Sequence, residues 1–276
     1  MGLRIATNVQ SMNAQRNLGV AFEKQAGSLN KLSSGARITK AGDDAAGLAI
    51  SEKLKGSIRS MQQANRNAND GISLIQTAEG GINEVSNILL RLRELSVQAA
   101  SDTVGDVERG FTDKEFQALK SEIDRISQVT KFNGTQLLNG NGATLDFQVG
   151  IENNPENDRL QYATANTDVT LGKLQLSQTG VANKQTAQEN LAKIDTAIQM
   201  VNENRAGLGA LQNRLSSTVN NLQISTENLA AANSRIRDTD MAAETSELTK
   251  QSILSQAGTA VLSQANSSQN LALKLL

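Results

Sequence analysis

Residues 201–236 read VNENRAGLGALQNRLSSTVNNLQISTENLAAANSRI, and this stretch decides the fold. An aliphatic residue occupies every seventh position: Val201, Leu208, Leu215, Leu222, Leu229 and Ile236. A strict seven-residue repeat is the period of a helix in a coiled coil. The companion line, three residues further on each time, is mostly small or polar, as at Thr218 and Ser225. We therefore predict a long helix with a narrow seam that packs against another helix at close range.

A second periodic segment comes earlier in the chain. Between Leu54 and Ala99, apolar or small residues recur with a mean step of about 3.5 residues, which is again the coiled-coil period. Its predicted seam contains Leu54, Met61, Ile75, Ile82 and Leu89. The two segments together predict a mainly α fold, a long antiparallel helical coiled coil or bundle. A bundle of ordinary long helices is the alternative at this point.

A shorter helix and a β-rich insertion separate the two long segments. Thr112-Asp113-Lys114-Glu115 has the pattern of a capping box, so a helix is expected to begin there, after a reversal of the chain at Ser101–Gly110. From Asn133 to Gly180, Asn-Gly pairs and short alternating runs indicate roughly four to six short strands. So few strands do not make an independent domain. The insertion should depend on the helices for its stability.

Both ends of the chain carry thinner amphipathic patterns. The residues expected to form a terminal coiled coil are Ile5, Val9, Met12, Leu29, Leu254 and Val261. The surrounding segments are rich in Ala, Ser, Asn and Gln, and helices with such thin apolar stripes are not stable alone in water. The two ends are therefore expected to fold on association.

The composition removes most of the groups from which enzymes are built. The chain has no His and no Cys, which excludes an imidazole base, a thiol nucleophile, a disulfide and an ordinary zinc site. The carboxylate pair Asp43–Asp44 is best explained as the start of a helix, and the pair Asp238–Asp240 as local charge pairing with neighbouring arginines. We predict no catalytic, cofactor-binding or metal-binding residues and no enzymatic activity.

The charge pattern indicates neither nucleic acid nor membrane as a partner. The 27 basic and 28 acidic residues are interspersed and leave a net charge of −1. No run of about 18 apolar residues is present to span a bilayer. The first residues also lack the apolar run of a secretory signal. If the protein leaves the cell, we expect another export route.

Several blocks of the sequence resemble a known family. The first half contains Gly42–Ser51, Asp70–Gly80 and Arg93–Gln98, and the second half contains Leu208–Leu215 and Ser234–Met241. Blocks of this length, in this order and near both ends, are typical of bacterial flagellins, the subunits of the flagellar filament. The chain resembles a short flagellin that lacks large outer domains.

The resemblance implies four segments. Residues 1–42 would form an N-terminal inner-tube helix and spoke, 43–180 the N-terminal rod helices with the β-rich region, 181–237 the C-terminal rod helix, and 238–276 the C-terminal inner-tube helix. It implies a structural subunit that is exported unfolded by the flagellar type III system. Identical subunits would then assemble into the extracellular filament that drives swimming. Further implied partners are an export chaperone at the C-terminal helix and the filament cap and hook-junction proteins.

The resemblance also implies recognition by Toll-like receptor five, an immune receptor for flagellin. The matching positions are Arg91, Leu95 and Glu115. Each also has a structural interpretation: Leu95 as a seam residue, Arg91 as a solvated or intersubunit charge, and Glu115 as a helix cap. A different class of protein remains the alternative, a secreted or adaptor coiled-coil protein of the type III needle kind, which would form a discrete oligomer.

Overall fold

The computed structural model describes the backbone of residues 7–274 and the side chains up to residue 267. Its helices are α1 (Val9–Ser34), α2 (Ala45–Ala99), α3 (Asp106–Val129), α4 (Lys184–Arg237) and α5 (Met241–Lys274). Between α3 and α4 lie the strands β1 (Lys131–Phe132), β2 (Thr135–Gln136), β3 (Leu145–Gln148) and β4 (Arg159–Tyr162), followed by one 3₁₀ turn (Thr164–Thr167). The predicted fold class, mainly helical with a small β-rich insertion, is confirmed.

The chain divides at Ile58 and Thr226 into two compact units. The central unit, Arg59–Thr226, contains most of α2, all of α3, the strands and most of α4. The terminal unit contains the described residues on the other side of both points, namely α1, the start of α2, the end of α4 and α5. The sequence predicts that the two terminal segments end at 42 and begin at 238. In the structure the start of α2 and the end of α4 also fall in the terminal unit.

The core of the central unit lies between α2, α3 and α4. Its almost fully buried side chains include Ile75, Ile82, Val85, Leu89 and Leu92 of α2, Phe116 and Ile123 of α3, and Ile194, Val201, Leu208 and Leu215 of α4. Full burial of one such side chain stabilises the fold by about 1.5–3 kcal/mol. The ion pairs Lys184–Asp102 and Arg93–Asp195 join the first part of α4 to the last part of α2 and the turn after it. Within this unit the two long helices therefore run antiparallel.

Helix α3 begins at Asp106, earlier than the capping-box pattern at Thr112 predicts. The buried guanidinium of Arg109 donates a hydrogen bond to the carbonyl of Ala99 at 2.9 Å and thereby closes the turn after α2. Thr112 lies inside the helix, where its hydroxyl donates to the carbonyl of Glu108 at 3.0 Å. The capping-box prediction was therefore wrong. A side chain from within α3 holds the turn, so the helix can start sooner.

Two short hairpins form the β-rich insertion. In the β1–β2 hairpin, Asn133 and Gly134 both have positive φ, as a two-residue type I′ turn requires. In the second hairpin β3 pairs antiparallel with β4, and Leu145 lies opposite Tyr162. Leu160 and Tyr162 of β4 belong to the same buried cluster as the helices, and Phe132 of β1 packs against it. The insertion therefore rests on the helical core, as expected from its size.

After the 3₁₀ turn, residues 168–183 form an irregular strap that leads to α4. Its apolar side chains Val169, Leu174, Leu176 and Val181 are almost fully buried. The ammonium group of Lys120 on α3 donates to the strap carbonyls of Thr179, at 2.8 Å, and Ser177, at 3.2 Å. Burial lowers the pKa of Lys120. The strap is thus anchored to α3 by both apolar and charged contacts.

Helices α1 and α5 pair in the terminal unit. At one end the side chain of Asn8 donates to the carbonyl of Ala265 at 3.0 Å, and at the other end Lys31 lies 4.0 Å from Glu244. These contacts show that the two helices are antiparallel. Asn8 also caps α1, because its side chain accepts a hydrogen bond from the amide of Ser11 at 2.9 Å.

Candidate assembly surfaces

The fully buried positions of the seam between α1 and α5 carry small and polar side chains, while its leucines, such as Leu18, are only half-buried. Its buried members are Ala21 and Ser28 of α1, with Gln251, Ser255 and Ala265 of α5. Gly258 permits close approach, since a Cβ atom at this position would lie 3.1 Å from Cδ1 of Leu18. The fully buried side chains of the seam present little apolar area, so they contribute little hydrophobic stabilisation.

The apolar residues expected in a terminal coiled coil are not buried in this seam. Val9, Met12, Leu29, Leu254 and Val261 are all between 48% and 63% exposed. Ile5 lies outside the described residues. In the single chain the five described residues are largely exposed, so their contribution to a terminal coiled coil stays a prediction.

These exposed apolar residues form stripes on the outer faces of the helix pair. Phe22 and Leu29 lie seven residues apart on α1, and Leu254 and Val261 lie seven apart on α5, so each pair shares a helical face. A helix with apolar residues on several sides is normally packed on several sides. We name this candidate the terminal-pair surface. It consists of Val9, Met12, Phe22, Leu29, Ile253, Leu254 and Val261.

The segment Gly35–Asp44, which we call the connector, is pinned to the end of α4. The amide of Arg37 donates to the carbonyl of Arg237 at 2.6 Å, and its guanidinium donates to the carbonyl of Ile236 at 2.7 Å. In return, the amide of Thr239 donates to the carbonyl of Gly35 at 2.9 Å. A cation at the last carbonyls of a helix is also favoured by the helix dipole. The connector thus satisfies backbone groups that the end of α4 would leave open.

Asp43 and Asp44 shape the connector from within. The carboxylate of Asp43 accepts three hydrogen bonds at 2.9 Å, from the amides of Lys40 and Thr39 and from the Thr39 hydroxyl. These hydrogen bonds hold the pKa of Asp43 below its ordinary value, and the bond from the Lys40 amide contributes most. Asp44 accepts from the amide of Gly47 at 2.8 Å in the first turn of α2. The prediction that this pair marks a helix start is confirmed.

The second carboxylate pair behaves differently from its prediction. Asp240 accepts hydrogen bonds from the amides two and three residues further on and so caps the start of α5. Arg237 forms its ion pair with Glu52 of α2. The predicted local pairing of Asp238 and Asp240 with Arg237 was therefore wrong. The Arg237 guanidinium pairs with Glu52 on α2, and the Asp240 carboxylate accepts hydrogen bonds from backbone amides.

The residues predicted as the assembly seam lie mostly inside the chain's own fold. In the central unit, Ile75, Ile82, Leu89, Val201, Leu208, Leu215 and Leu222 are buried and Met61 is half-buried. In the terminal unit, Leu54, Leu229 and Ile236 are half-buried. Their contacts are therefore largely within one subunit, and a contribution to contacts between subunits stays a prediction.

The three residues matched to receptor recognition are not equally accessible. The guanidinium of Arg91 pairs with Glu115 of α3 at 2.9 Å and with Glu94 at 2.9 Å, and all three charged groups are exposed. Leu95 is only 2% exposed and belongs to the helical core. Glu115 lies well inside α3, so it is not the helix cap that the sequence indicated. The structure thus brings Arg91 and Glu115 together at the surface and places Leu95 beneath it.

Two further features concern metals and membranes. In the described part of the chain, no group of three or more acidic, His or Cys residues is placed to hold a metal ion. Among the helices as far as they are described, none combines the length and apolar character needed to cross a bilayer.

Family models match both ends of the chain. The model for the bacterial flagellin N-terminal helical region matches residues 5–143, and the model for the bacterial flagellin C-terminal helical region matches residues 191–276. The chain belongs to the flagellin family. The matched segments contain the terminal-pair surface, the connector and most of the central helices. Residues 144–190 lie between the two matches.

Relatives from several bacteria match over almost the whole chain. A flagellin from Halalkalibacterium halodurans is 44% identical over 98% of both chains, and a flagellin from Bacillus subtilis strain 168 is 43% identical over 99% of this chain and all of its own. A flagellar filament 30.7 kDa core protein from Treponema maltophilum is 40% identical over 98% of both chains. The crystal structure of Bacillus cereus flagellin superposes with a TM-score of 0.52 and 34% identity, covering 61% of this chain and 94% of that one.

Proposed function

We propose that this chain is the structural subunit of a bacterial flagellar filament, which it builds outside the cell by self-assembly with identical copies. The observation that carries the proposal is the terminal-pair surface. Its apolar side chains are exposed in the chain, and they lie in the two segments matched to flagellins. Burying them against other subunits gives a favourable free energy that the thin seam between α1 and α5 does not supply. The role is structural, and no enzymatic activity is part of it.

Within the filament we assign the two ends and the middle to different places. Residues 1–42 and 238–276 would line the inner tube, where neighbouring copies cover the terminal-pair surface. Residues 43–180 and 181–237 would form the surrounding rod, with the β-rich region toward the outside. The buried core of the central unit supports this division, because a rod needs helices that are stable without neighbours.

Electron microscopy of purified protein before and after induced polymerisation tests the proposal. The parent should form long filaments. A Leu29→Ser/Val261→Ser variant should remain monomeric or give only short filaments, because it removes apolar area from both helices of the terminal pair. Ile151→Ser is the matched control, since it removes an exposed side chain from the β-rich insertion. A discrete soluble oligomer from the parent would instead favour a protein of the type III needle kind.

We extend the proposal to export and its partners. The chain would leave the cell unfolded through the flagellar type III system, held until then by a chaperone on α5, and would join the filament next to hook-junction and cap proteins. The exposed Ile253, Leu254 and Val261 support chaperone binding at α5, because they offer an apolar face to a partner. Size-exclusion chromatography with a flagellar export chaperone should show a complex for the parent and a weaker one for Leu254→Ser.

We also propose detection by Toll-like receptor five through the exposed Arg91–Glu115 pair. Leu95 would act indirectly, by packing α2 beneath the charges, since its own side chain is buried. In a receptor-reporter assay, Arg91→Ala and Glu115→Ala should each lower the response while the thermal unfolding of the monomer changes little. Arg93→Ala is the matched control, because Arg93 pairs with Asp195 on α4 instead. Unchanged responses from both test variants would exclude this contact.

A further inference from the structure

A cleft opens on the central unit between the segment Tyr162–Asp168 and one face of α4. Its volume is about 580 Å³, in the range that holds a small ligand or a few side chains. Gly207, Leu208 and Leu211 contribute an apolar lining from α4. In the favoured orientation of its amide, Asn204 donates to the carbonyl of Asn166 at 2.6 Å and so ties the two walls together.

The rim of the cleft carries more negative than positive charge. Asp168 and Glu203 line it together with Lys173. Among the described contacts, none of these three side chains forms an ion pair. An apolar lining beside acidic groups suits an occupant with a hydrophobic tip and an adjacent cation.

Such a tip is present elsewhere on the central unit, at the start of α3. Phe111 is 64% exposed and Val107, one turn before it, is 69% exposed. The ammonium group of Lys114 lies 5.7 Å from the centre of the Phe111 ring. Within the described residues Lys114 has no carboxylate partner. Phe116, five residues on, is fully buried, so this helix exposes one aromatic ring while it buries another.

We propose that Phe111 of one copy inserts into the cleft of a second copy, with Lys114 beside Glu203 of that copy. The inference rests on the proposed filament function and names one of its contacts. The partner is a second copy because the chain itself carries both complementary surfaces, the apolar tip with its cation and the apolar cleft with its acids. The two surfaces are different patches of one chain, so the contact is heterologous. Repeated head to tail, such a contact gives an open helical assembly when the rotation between copies does not close into a ring, as a filament requires.

Cysteine cross-linking tests the contact directly, because the natural chain contains no cysteine. Phe111→Cys and Gly207→Cys subunits are mixed, polymerised and treated with a mild oxidant. A Cβ atom at position 207 would meet nothing within 4 Å, so this substitution fits the cleft. Gly209→Cys is the matched control, because position 209 is equally open but two residues further along α4. We expect disulfide-linked dimers from the 111–207 mixture and only background from the 111–209 mixture.

Charge reversal gives an independent measurement. Lys114→Glu and Glu203→Lys should each slow seeded filament growth by about tenfold or more, since each juxtaposes like charges at the rim. The double variant should recover growth to within about threefold of the parent, because it restores an opposite pair. Lys131→Glu, an exposed lysine of β1, is the control for charge alone.

The outcomes separate the inference from the proposed function. Parent filaments without 111–207 dimers above the control would overturn the contact and leave the filament role standing. Absence of parent filaments would instead contradict the filament role itself. Protection of the thiol at position 207 from alkylation in the isolated monomer would indicate a small-molecule occupant and also overturn the contact.

Discussion

The phenolic oxygen of Tyr162 lies 2.9 Å from the carbonyl oxygen of Leu137. It is also 2.7 Å from the hydroxyl of Thr167, and the side chain is only 2% exposed. Burial raises the pKa of the phenol above its ordinary value. The chain has no other tyrosine and no tryptophan, so ultraviolet absorbance reports the ionisation of this one buried group.

Tyrosinate should therefore appear at a higher pH in the folded protein than in urea-unfolded protein. Because the unfolded chain loses the phenolic proton first, the free energy of unfolding should fall as pH rises above the ordinary pKa of about 10. Tyr162→Phe should remove this contribution and cost about 0.5–1.5 kcal/mol at neutral pH through the lost hydrogen bonds. Identical titration curves in the two states would contradict the burial of Tyr162.

Leu222→Glu should destabilise the monomer by about 2–5 kcal/mol and abolish filaments, because it places a carboxylate in the buried seam of α4. Ile224→Glu is the matched control. Ile224 is 62% exposed, so the same new charge should change the free energy of unfolding by no more than about 0.5 kcal/mol. Thermal unfolding followed by circular dichroism measures both. Equal effects would mean that the seam is assigned to the wrong face.

Acid should loosen the connector, because its hydrogen bonds lower the pKa of Asp43. A carboxyl group whose folded pKa is depressed stabilises the fold above its ordinary pKa, and this contribution is lost as pH falls through the lowered value. Asp43→Asn should raise amide exchange in residues 35–44 at neutral pH and make it less dependent on acid. Asp146→Asn, an exposed carboxylate on β3, should leave the connector unchanged. The same acid response in parent and Asp43→Asn would show that another group controls the connector.

The two terminal helices should exchange their amide hydrogens much faster in the monomer than in the filament. The reason is the small and polar seam between α1 and α5, which stabilises the pair weakly until neighbours cover the outer faces. Hydrogen exchange resolved by mass spectrometry should show fast exchange at residues 9–34 and 241–265 before polymerisation. Exchange at residues 75–95 of α2 should be slow in both states. If the terminal helices of the monomer exchanged as slowly as α2, the prediction that they fold on association would be contradicted.

Seven-residue spacing was enough to predict the helices and their buried faces in the central unit. Residues such as Ile82 and Leu208 are apolar because they face the chain's own core, so periodicity and burial coincide. The start of α3 was missed because the deciding contact comes from Arg109, whose long side chain reaches back to the preceding helix. No local pattern of caps or breakers encodes a contact of this kind.

The terminal-pair surface shows what a periodic apolar pattern does not predict. A stripe of apolar residues such as Leu254 and Val261 indicates that something covers that face, but not whether the cover comes from the same chain. Here the fully buried positions are serine, glutamine and alanine, while Leu254 and Val261 point outward. The cleft beside α4 was also not predictable, because it forms between residues brought together only by the fold of the strap and the 3₁₀ turn.

The contact of Asn8 with Ala265 joins residues 257 positions apart in the chain. During synthesis the N-terminal segment emerges first, and α1 has to wait for α5 before it can pair. Closing so long a loop is also slow, because the entropy of the intervening chain opposes it until the contact forms. A copy cut short before α5 would offer α1 no partner. Where the pair orders during assembly, its formation therefore selects copies that were translated through α5.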